Sequence, residues 1–514
     1  MDDFLTLAAR VHPDRLALID GNQRLTYAEL NTAVAELSAR LTAHGIQREQ
    51  RIAVLLDRSR NAVTLVHALV RIGASLVPLT TRLTADEMQY QVENAACKWI
   101  LRTTPSPIGG RLGRGLEAST HVDDLPRNAP DPHLVGALEL DTEFGILFTS
   151  GTTGKPKGAR LLWKNIYASA KASAERLGTY PDDRWLLTLP LYHIGGLSII
   201  FRSALYGTAV ILPNFTDDQF DIAQLQTRMH ATEPTLISLV PTMLHRLLSD
   251  EFARQLFRRS NLPFSNETAS SQVHAPRRIS EDSVFPERLR LLLLGGAAAS
   301  PKLLERAYAE NLPVATTYGL TECASQVATA TPDEARRKPT SVGKPLPGIR
   351  VEIRDDEGQS LLSGEIGNVH VAGDVVMSGY LHQAEIHEWL GTGDLGYLDA
   401  DGDLFIIQRR SDLIVSGGEN IYPAEVEAVL TQHPDVESAC VVGIPDEQWG
   451  QRVAAALVLV NGANFNEEEL LFFCREHLAG FKIPRKIALL DALPQTASGK
   501  IKRPDVVKLL IGIE

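Results

Sequence analysis

The sequence lacks an excess of positive charge. Its 514 residues carry 51 Lys and Arg against 63 Asp and Glu, which leaves a formal net charge of −12. A general nucleic-acid-binding protein would show a basic face or stripe. The charge balance therefore argues against a nucleic-acid partner, and any polyanionic ligand must be held by a few local groups.

Cysteine is scarce as well. The four cysteines, Cys97, Cys323, Cys440 and Cys474, stand far apart and form no Cys-x-x-Cys pair. This spacing indicates no structural zinc site and is compatible with a reducing compartment. We therefore expect a cytoplasmic protein.

No uninterrupted apolar run is long enough to suggest a membrane span. The apolar stretch at 186–212 is broken by His193, Arg202 and proline, and the start "MDDFLTLAAR" is acidic before it is apolar, the reverse of a secretory signal. We expect no targeting segment and no stable membrane insertion. The sequence does not decide the oligomeric state and is compatible with a homo-oligomer.

The length predicts two to four domains, because a single core rarely serves so long a chain. Amphipathic helical patterns at 26–44, 59–72 and 84–96 alternate with the short apolar runs "RIAVLL", "SLVPL" and "KWILR". This alternation predicts a layered α/β domain of strands and crossover helices. The polar segment 249–288 is predicted to be a surface insertion.

The pattern changes in the last third of the chain. Short β-rich runs separated by Gly and Asp follow Arg337 and predict a small β subdomain, at about 338–408. Beyond "QRRSD", helices at 423–432 and 467–478, strands near 436–444, 452–460 and 486–490, and a final helix predict a separate α+β domain. We therefore predict an α/β protein with a large N-terminal domain, 1–408, and a small C-terminal domain, 409–514.

The loop "FTSGTTGKPKGARL", 148–161, resembles the phosphate loop of nucleotide triphosphatases only superficially. That pattern needs glycine at position 149, where Thr149 stands, and a hydroxyl residue at 156, where Pro156 stands. Glycines, hydroxyls and two lysines still suit an anion, because they supply N–H groups, O–H groups and positive charge. By composition alone, an ordinary Gly/Thr turn explains the loop equally well.

Three later segments carry polar groups that suit a nucleotide. "TTYGLTECAS" offers the aromatic face of Tyr318, the Thr321 hydroxyl and the Glu322 carboxylate, a good ligand for Mg²⁺. Asp394, in an expected Gly-Thr-Gly-Asp turn, suits ribose hydroxyls, and Lys500 stands in "LPQTASGKIKR". Taken singly, each is equally well explained as a strand end, a turn or a solvated charge.

The order of the motifs is decisive. "TSGTTGKPKG", "YGLTE", "GEIGNVHVAG…GY", "GTGD", "RRSDLIVSGGENIYPAEVE" and "LPQTASGKIKR" follow one another between Thr149 and Arg503. In this order they resemble the adenylate-forming superfamily of acyl-CoA and aryl-CoA synthetases, firefly-type luciferases and peptide-synthetase adenylation domains. The resemblance implies a small, mobile C-terminal domain and a two-step reaction: ATP and a carboxylate give an acyl-adenylate and pyrophosphate, and a thiol such as coenzyme A then displaces AMP.

The resemblance also implies roles for particular residues. Tyr318 would stack on adenine, Thr321 would contact the α-phosphate, Glu322 the Mg²⁺, and Asp394 and Arg409 the ribose. Gly319 would also belong to the nucleotide-binding residues. The pyrophosphate loop would comprise Thr149, Ser150, Gly151, Thr152, Thr153, Gly154, Lys155 and Lys157.

The C-terminal domain would act in both half-reactions, first through a lysine and then through a glycine-containing loop at the thiol tunnel. Lys500 would bridge the acyl carboxylate and the α-phosphate. Rotation about a hinge near 409–412 would then bring Gly417 and Gly418 to the tunnel. The hinge position is usually Asp or Lys in these enzymes but is Ser411 here, which leaves open how the two orientations are balanced.

The segment Leu189–Leu212 should line the acyl pocket. It predicts a helix whose apolar face carries one cation, Arg202, which would suit a substrate with a second carboxylate. A cap on the surface or a pair with an acid remains an alternative for Arg202.

This segment and "GGAAASPKLLERAYAENLPVATTYGLTECASQVATATP" most resemble o-succinylbenzoate–CoA ligases of menaquinone biosynthesis. That resemblance implies that His193 lies at the mouth of the acyl site, that Arg202 binds the ring carboxylate, and that Gly295, Gly296, Ser325 and Gln326 line the pocket. Another aryl- or medium-chain acyl-CoA synthetase remains an alternative. A carrier-loading adenylation domain is less favoured, because no pocket acid for an ammonium group is evident between Leu189 and Leu212.

Overall fold

In a computed structural model of the chain, the described residues are 1–80, 83–103, 119–126, 138–149, 156–213, 221–249, 285–296, 299, 301–408, 413–494 and 503–512. The helices among them are Phe4–Val11, Tyr27–Ala43, Arg60–Ile72, Ala85–Asn94, Trp163–Leu177, Ile194–Tyr206, Ile222–Thr232, Pro241–Ser249, Pro301–Ala309, Pro332–Arg337, Pro423–Leu430, Glu467–His477 and Arg503–Gly512, with short 3₁₀ turns at Val122–Asp124 and Thr321–Cys323.

The helix ends follow local sequence signals. Thr26 and Thr84 form capping boxes with Glu29 and Glu87, in which each side chain satisfies a backbone N–H of the other residue. Gly73 ends helix Arg60–Ile72 in a left-handed conformation. The predicted helices at 26–44, 59–72 and 84–96 are confirmed, each within a turn of its predicted ends.

The described strands form four sheets. A nine-stranded sheet has the order Lys344–Pro345, Ser325–Thr329, Val314–Leu320, Leu291–Leu294, Leu236–Leu239, Arg184–Leu186, Ala209–Ile211, Leu16–Asp20 and Gln23–Thr26. A seven-stranded sheet has the order Gly379–Tyr380, Lys157–Leu162, Glu143–Thr149, Ser75–Leu79, Arg51–Leu55, Trp99–Arg102 and Thr120–His121.

The two remaining sheets are smaller. Arg350–Arg354, Gly367–Ala372, Trp389–Leu398 and Leu404–Gln408 form a four-stranded antiparallel sheet. Glu419–Ile421, Ile414–Ser416, Gly450–Leu459 and Val436–Asp446 form the last sheet, in which Lys486–Leu489 pairs with Gly450–Leu459. The α/β class with a β-rich part and a small α+β part is thus confirmed. The boundary between 408 and 409 stays a prediction, because 409–412 lies outside the described residues.

A continuous apolar core joins the two large sheets. It contains Leu18, Leu236 and Leu293 of the nine-stranded sheet together with Val54 and Leu76 of the seven-stranded sheet. Helix Ile194–Tyr206 lies in this core, and its Phe201 packs edge-to-face against Phe144 and Trp163. The helix is therefore held rigidly between the layers, which fixes the direction of its polar residues.

One expected turn is wrong. Asp394 lies inside strand Trp389–Leu398, which pairs on both sides with neighbouring strands. The strand is irregular at this point, because Gly393 has a left-handed φ of 77° and the register with strand Gly367–Ala372 shifts between Gly391 and Leu395. Pairing between strands distant in sequence therefore overrides the local turn signal.

Among the described helices, none combines the length and apolar character that crossing a bilayer requires. The predicted insertion at 249–288 falls mostly outside the described residues, which include only Ser249 and 285–288 of it.

Candidate active site

A cavity of about 210 Å³ opens where parallel strands of the nine-stranded sheet end. Strands Leu236–Leu239, Leu291–Leu294 and Val314–Leu320 run parallel, and ligands of such sheets bind beyond the carboxyl ends of the strands. The predicted site residues on its wall are Thr149, His193, Arg202, Gly295, Gly296, Gly319, Thr321, Glu322, Ser325, Gln326, Asp394 and Gly418.

A second cavity, of about 560 Å³, adjoins the first and shares Gly296, Thr317 and Leu413 with it. Tyr318 lines this second cavity, and its hydroxyl donates a hydrogen bond to Asp394 Oδ2. Both side chains are almost fully buried. The tyrosine expected at adenine and the aspartate expected at ribose are thus neighbours.

Glu322 is held at the junction between the sheets. It lies in the 3₁₀ turn Thr321–Cys323, and its Oε1 accepts hydrogen bonds from Tyr380 Oη at 2.7 Å and Thr149 Oγ1 at 3.3 Å. Its side chain is buried but lies on the cavity wall. An oriented carboxylate in this position fits Mg²⁺, which prefers one or two carboxylates and completes its shell with phosphate and water oxygens.

The backbone after Glu322 adopts an unusual conformation. Ala324 and Ser325 both have positive φ angles, 50° and 110°, which cost on the order of 1–3 kcal/mol each for residues other than glycine. The reversal directs Ser325 and Gln326 back to the cavity. It also needs Gly319 opposite, where a Cβ would lie 2.1 Å from Ser325 O.

Arg202 is buried in the wall of the cavity with only 2% of its surface exposed. Its Nη2 donates to Ser169 Oγ at 3.2 Å, and its guanidinium lies 5.9 Å from the centre of a Trp185 ring. Burial lowers the pKa of the guanidinium. Within the described residues it forms no salt bridge and Nε has no hydrogen-bond partner, so neither alternative, a surface cap or an acid pair, is seen.

A second polar side chain at the cavity is also incompletely satisfied. Gln326 Nε2 donates to Thr329 Oγ1 at 2.8 Å, whereas its buried Oε1 has no partner among the described residues. Buried polar atoms are normally hydrogen-bonded. One unused donor and one unused acceptor at the same cavity therefore suit a ligand with polar groups of its own.

The segment 413–422 closes the cavity from the C-terminal side. Gly418 lies against Val240, with an added Cβ only 3.3 Å from the valine side chain, and Gly417 lies against Trp449. Glu419 reaches Tyr192 Oη at 3.4 Å and His193 Nε2 at 3.5 Å. His193 is half exposed and thus stands where the cavity opens, beside this segment.

The remaining predicted residues lie apart or cannot be placed. Lys157 Nζ lies 5.5 Å from the centre of the Tyr380 ring rather than on the cavity wall. Ser150, Gly151, Thr152, Thr153, Gly154, Lys155, Arg409, Ser411 and Lys500 lie outside the described residues.

Several cavity residues were missed from the sequence. Asn420 and Tyr422 stand inside the motif "SGGENIY", which therefore contained a signal for both. Tyr380, which does not line the cavity but hydrogen-bonds Glu322 on its wall, ends the motif "GEIGNVHVAG…GY". Ser198 and Ser238 also line the cavity. No local pattern identifies these two serines, because only the packing of their elements brings them to the site.

Comparisons with known proteins agree with this geometry. Residues 5–381 match the family described as AMP-binding enzyme, and residues 425–500 match the AMP-binding enzyme C-terminal domain. A 2-succinylbenzoate–CoA ligase of Bacillus licheniformis is 38% identical over 98% of both chains.

Two structures of o-succinylbenzoate CoA synthetase from Bacillus subtilis, both 36% identical to this chain, are also similar. A double mutant with a bound product analogue gives a TM-score of 0.86, covering 99% of this chain and 98% of the other. The complex with ATP and magnesium gives 0.70, covering 98% and 99%. The chain belongs to the AMP-binding enzyme family, the adenylate-forming enzymes whose motifs its sequence carries in order.

Proposed function

We propose that the protein is an AMP-forming acid–thiol ligase that converts 2-succinylbenzoate, ATP and coenzyme A into 2-succinylbenzoyl-CoA, AMP and pyrophosphate, a step of menaquinone biosynthesis. The full-length similarity to ligases of that name supports the reaction. The observation that carries the choice of substrate is Arg202, a buried guanidinium on the cavity wall with an unused Nε donor.

The substrate has two carboxylates with different tasks. Arg202 would form a charge-assisted hydrogen bond to the ring carboxylate, which leaves the succinyl carboxylate to be activated. A fatty acid would instead leave the guanidinium buried without a counter-charge, at a considerable cost. Ser325, Gln326, Gly295 and Gly296 would form the walls around the ring.

In the first half-reaction, a succinyl carboxylate oxygen attacks the α-phosphorus, and the bond to the bridging oxygen breaks to release pyrophosphate. Tyr318 and Asp394 would hold base and ribose, and Thr321 the α-phosphate. The loop that begins at Thr149 would hold the β- and γ-phosphates. Glu322 would bind Mg²⁺, which supplies charge neutralisation at the phosphates. Lys500 would stabilise the charge that develops between the acyl carboxylate and the α-phosphate.

In the second half-reaction, the coenzyme A sulfur attacks the acyl carbonyl carbon and AMP leaves with the bonding electrons. Gly417 and Gly418 would let the pantetheine arm approach closely, since neither carries a side chain. The contacts of Gly418 with Val240 and of Glu419 with His193 bring this segment to the mouth of the acyl cavity. We propose that this arrangement serves thioester formation.

The four cysteines are all free thiols in the structure. This fits the proposed cytoplasmic location, where thiols remain reduced.

Pyrophosphate release with a panel of acids tests the proposal. We expect turnover with 2-succinylbenzoate that depends on ATP and Mg²⁺ and yields a thioester only with coenzyme A. Preference for benzoate or medium-chain fatty acids would instead indicate another acyl-CoA synthetase. Amino-acid-dependent pyrophosphate release that coenzyme A does not affect would indicate a carrier-loading adenylation domain.

A further inference from the structure

Tyr380 contacts the candidate active site through Glu322, which lies on the cavity wall. It belongs to strand Gly379–Tyr380, which joins the edge of the seven-stranded sheet antiparallel to Lys157–Leu162, with Tyr380 opposite Ala159. This position places its side chain between Lys157, at the start of that strand, and the turn that carries Glu322.

The backbone around Tyr380 is anchored at several points. Asn165 Nδ2 donates to Asp374 O at 2.7 Å and to Val376 O at 2.8 Å. The Met377 N–H donates to Glu322 O at 2.8 Å, so the same segment is tied to the backbone of the glutamate. The Leu381 N–H donates to Gly158 O at 2.8 Å, so the backbone of Tyr380 is held on both sides.

The side chain of Tyr380 contacts two groups that ATP would use. Its hydroxyl donates to Glu322 Oε1 at 2.7 Å, and its ring lies 5.5 Å below Lys157 Nζ. Thr149 Oγ1 donates to the same carboxylate oxygen from 3.3 Å. Two donors that converge on one oxygen restrict rotation of the carboxylate.

We infer that Tyr380 is a positioning residue that orients the Glu322 carboxylate to bind the divalent cation of the nucleotide. The inference rests on the proposed function, in which ATP and Mg²⁺ bind here. Mg²⁺ demands near-ideal octahedral geometry, so a ligand free to rotate binds it less well. Hydrogen-bond partners of metal ligands typically contribute 10–100-fold to metal affinity.

Tyr380→Phe removes the hydroxyl and keeps the ring beneath Lys157. We expect Mn²⁺ to bind about tenfold more weakly to the variant in the presence of a non-hydrolysable ATP analogue, followed by the electron paramagnetic resonance signal of free Mn²⁺. The Mg²⁺ concentration for half-maximal pyrophosphate release should rise by a similar factor, whereas kcat at saturating Mg²⁺ should stay near the wild-type value.

Tyr308→Phe is the matched control. Tyr308 also donates its hydroxyl, to Ala335 O at 3.0 Å, and also carries a cation over its ring, Arg336 at 4.8 Å, but it contacts no proposed ligand. This variant should bind Mn²⁺ as the wild type does.

Thr149→Val provides a second variant, and thermal unfolding reports whether each variant folds. We expect a smaller loss of Mn²⁺ affinity, because the Thr149 hydrogen bond is longer. Wild-type Mn²⁺ affinity in a folded Tyr380→Phe would overturn the inference, as would a kcat that excess Mg²⁺ does not restore. If Tyr380→Phe does not fold, unchanged Mn²⁺ affinity in Thr149→Val would also overturn the inference, because both hydroxyls donate to the same Glu322 oxygen. The Mn²⁺ titration uses no acyl substrate, so it stands even if the substrate assignment fails.

Discussion

Arg202 brings a charge into the core between the two large sheets. A buried guanidinium costs several kcal/mol unless hydrogen bonds or a counter-charge compensate, and here one serine hydroxyl supplies part of that. The Arg202 Nε and the Gln326 Oε1 are buried without a hydrogen-bond partner among the described residues, and both residues line the same cavity. A bound carboxylate would complete the set.

Arg202→Leu should therefore weaken binding of 2-succinylbenzoate by about 1.5–3 kcal/mol, the value of a charged hydrogen bond, and raise KM accordingly. The benzoylpropionate analogue without the ring carboxylate is the control. It should bind poorly to the wild type and no worse to the variant. Equal losses for both acids would remove Arg202 from the role of carboxylate recognition.

His67 makes the free energy of unfolding depend on pH. Burial lowers its pKa from 6.5 to about 4; nearby Asp3 opposes this shift and Arg71 adds to it. The unfolded chain thus takes up a proton near pH 6.5, whereas the folded protein does so only near pH 4. The free energy of unfolding should be unaffected by His67 above pH 6.5 and should fall as pH decreases below it, by about 2 kcal/mol at pH 5.

Denaturant unfolding of the wild type and His67→Leu at pH 7 and pH 5 measures this term. The variant should lose less stability than the wild type over that interval. Identical losses would show that His67 does not supply it.

At the scale of elements, the hairpin of strands Val314–Leu320 and Ser325–Thr329 carries much of the site. Its register shifts between Tyr318 and Gly319, and the turn between the strands holds Glu322. The close approach of the two backbones depends on the missing side chain of Gly319, since a Cβ there would overlap Ser325 O.

Gly319→Ala should force the hairpin apart, because a backbone carbonyl cannot move aside as a flexible side chain does. We expect a loss of stability of about 1–3 kcal/mol, as for other overpacked sites, and lower kcat/KM for ATP. Gly480→Ala is the control: nothing lies within 4 Å of an added Cβ there, so both quantities should stay unchanged. A Gly319→Ala variant with wild-type thermal stability and kinetics would contradict this account.

At the scale of the whole molecule, a buried ion triad links the small α+β part of the chain, which contains Lys482 and Glu425, to helix Ala85–Asn94, which contains Glu87. Lys482 Nζ donates to Glu425 Oε1 at 2.6 Å within that part and to Glu87 Oε1 at 2.7 Å on the helix. All three side chains are nearly buried. The bond to Glu87 exists only while the two parts are arranged as they are here.

Glu87→Gln should therefore destabilise this arrangement. The TM-score is 0.86 with the relative that carries a product analogue and 0.70 with the complex with ATP and magnesium. We therefore expect the variant to convert supplied acyl-adenylate and coenzyme A about tenfold more slowly, the equivalent of one charged hydrogen bond. Adenylation should change less. Glu93→Gln, at an exposed position of the same helix, is the control. Equal slowing of both half-reactions in Glu87→Gln would show that the Lys482–Glu87 bond does not favour the arrangement for thioester formation.

Much of this molecule was predictable from local sequence. Helix ends follow caps such as Thr26, Thr84 and Gly73, because capping involves residues only a few positions apart. The order of the motifs sufficed for the family and the reaction class, since the nucleotide chemistry requires those residue types in any member.

Other features were decided only by tertiary structure. The glycines around Asp394 indicated a turn, yet pairing with strands distant in sequence makes it part of a sheet. Arg202 was one cation on an apolar helix, and only the packing of that helix between two sheets buries it beside a cavity. Tyr380 meets Glu322 because two segments 58 residues apart converge. The sequence alone thus determined which side chains are candidates for the reaction, through the motifs that contain them. The distances between these side chains depend on contacts between distant segments, which no local pattern encodes.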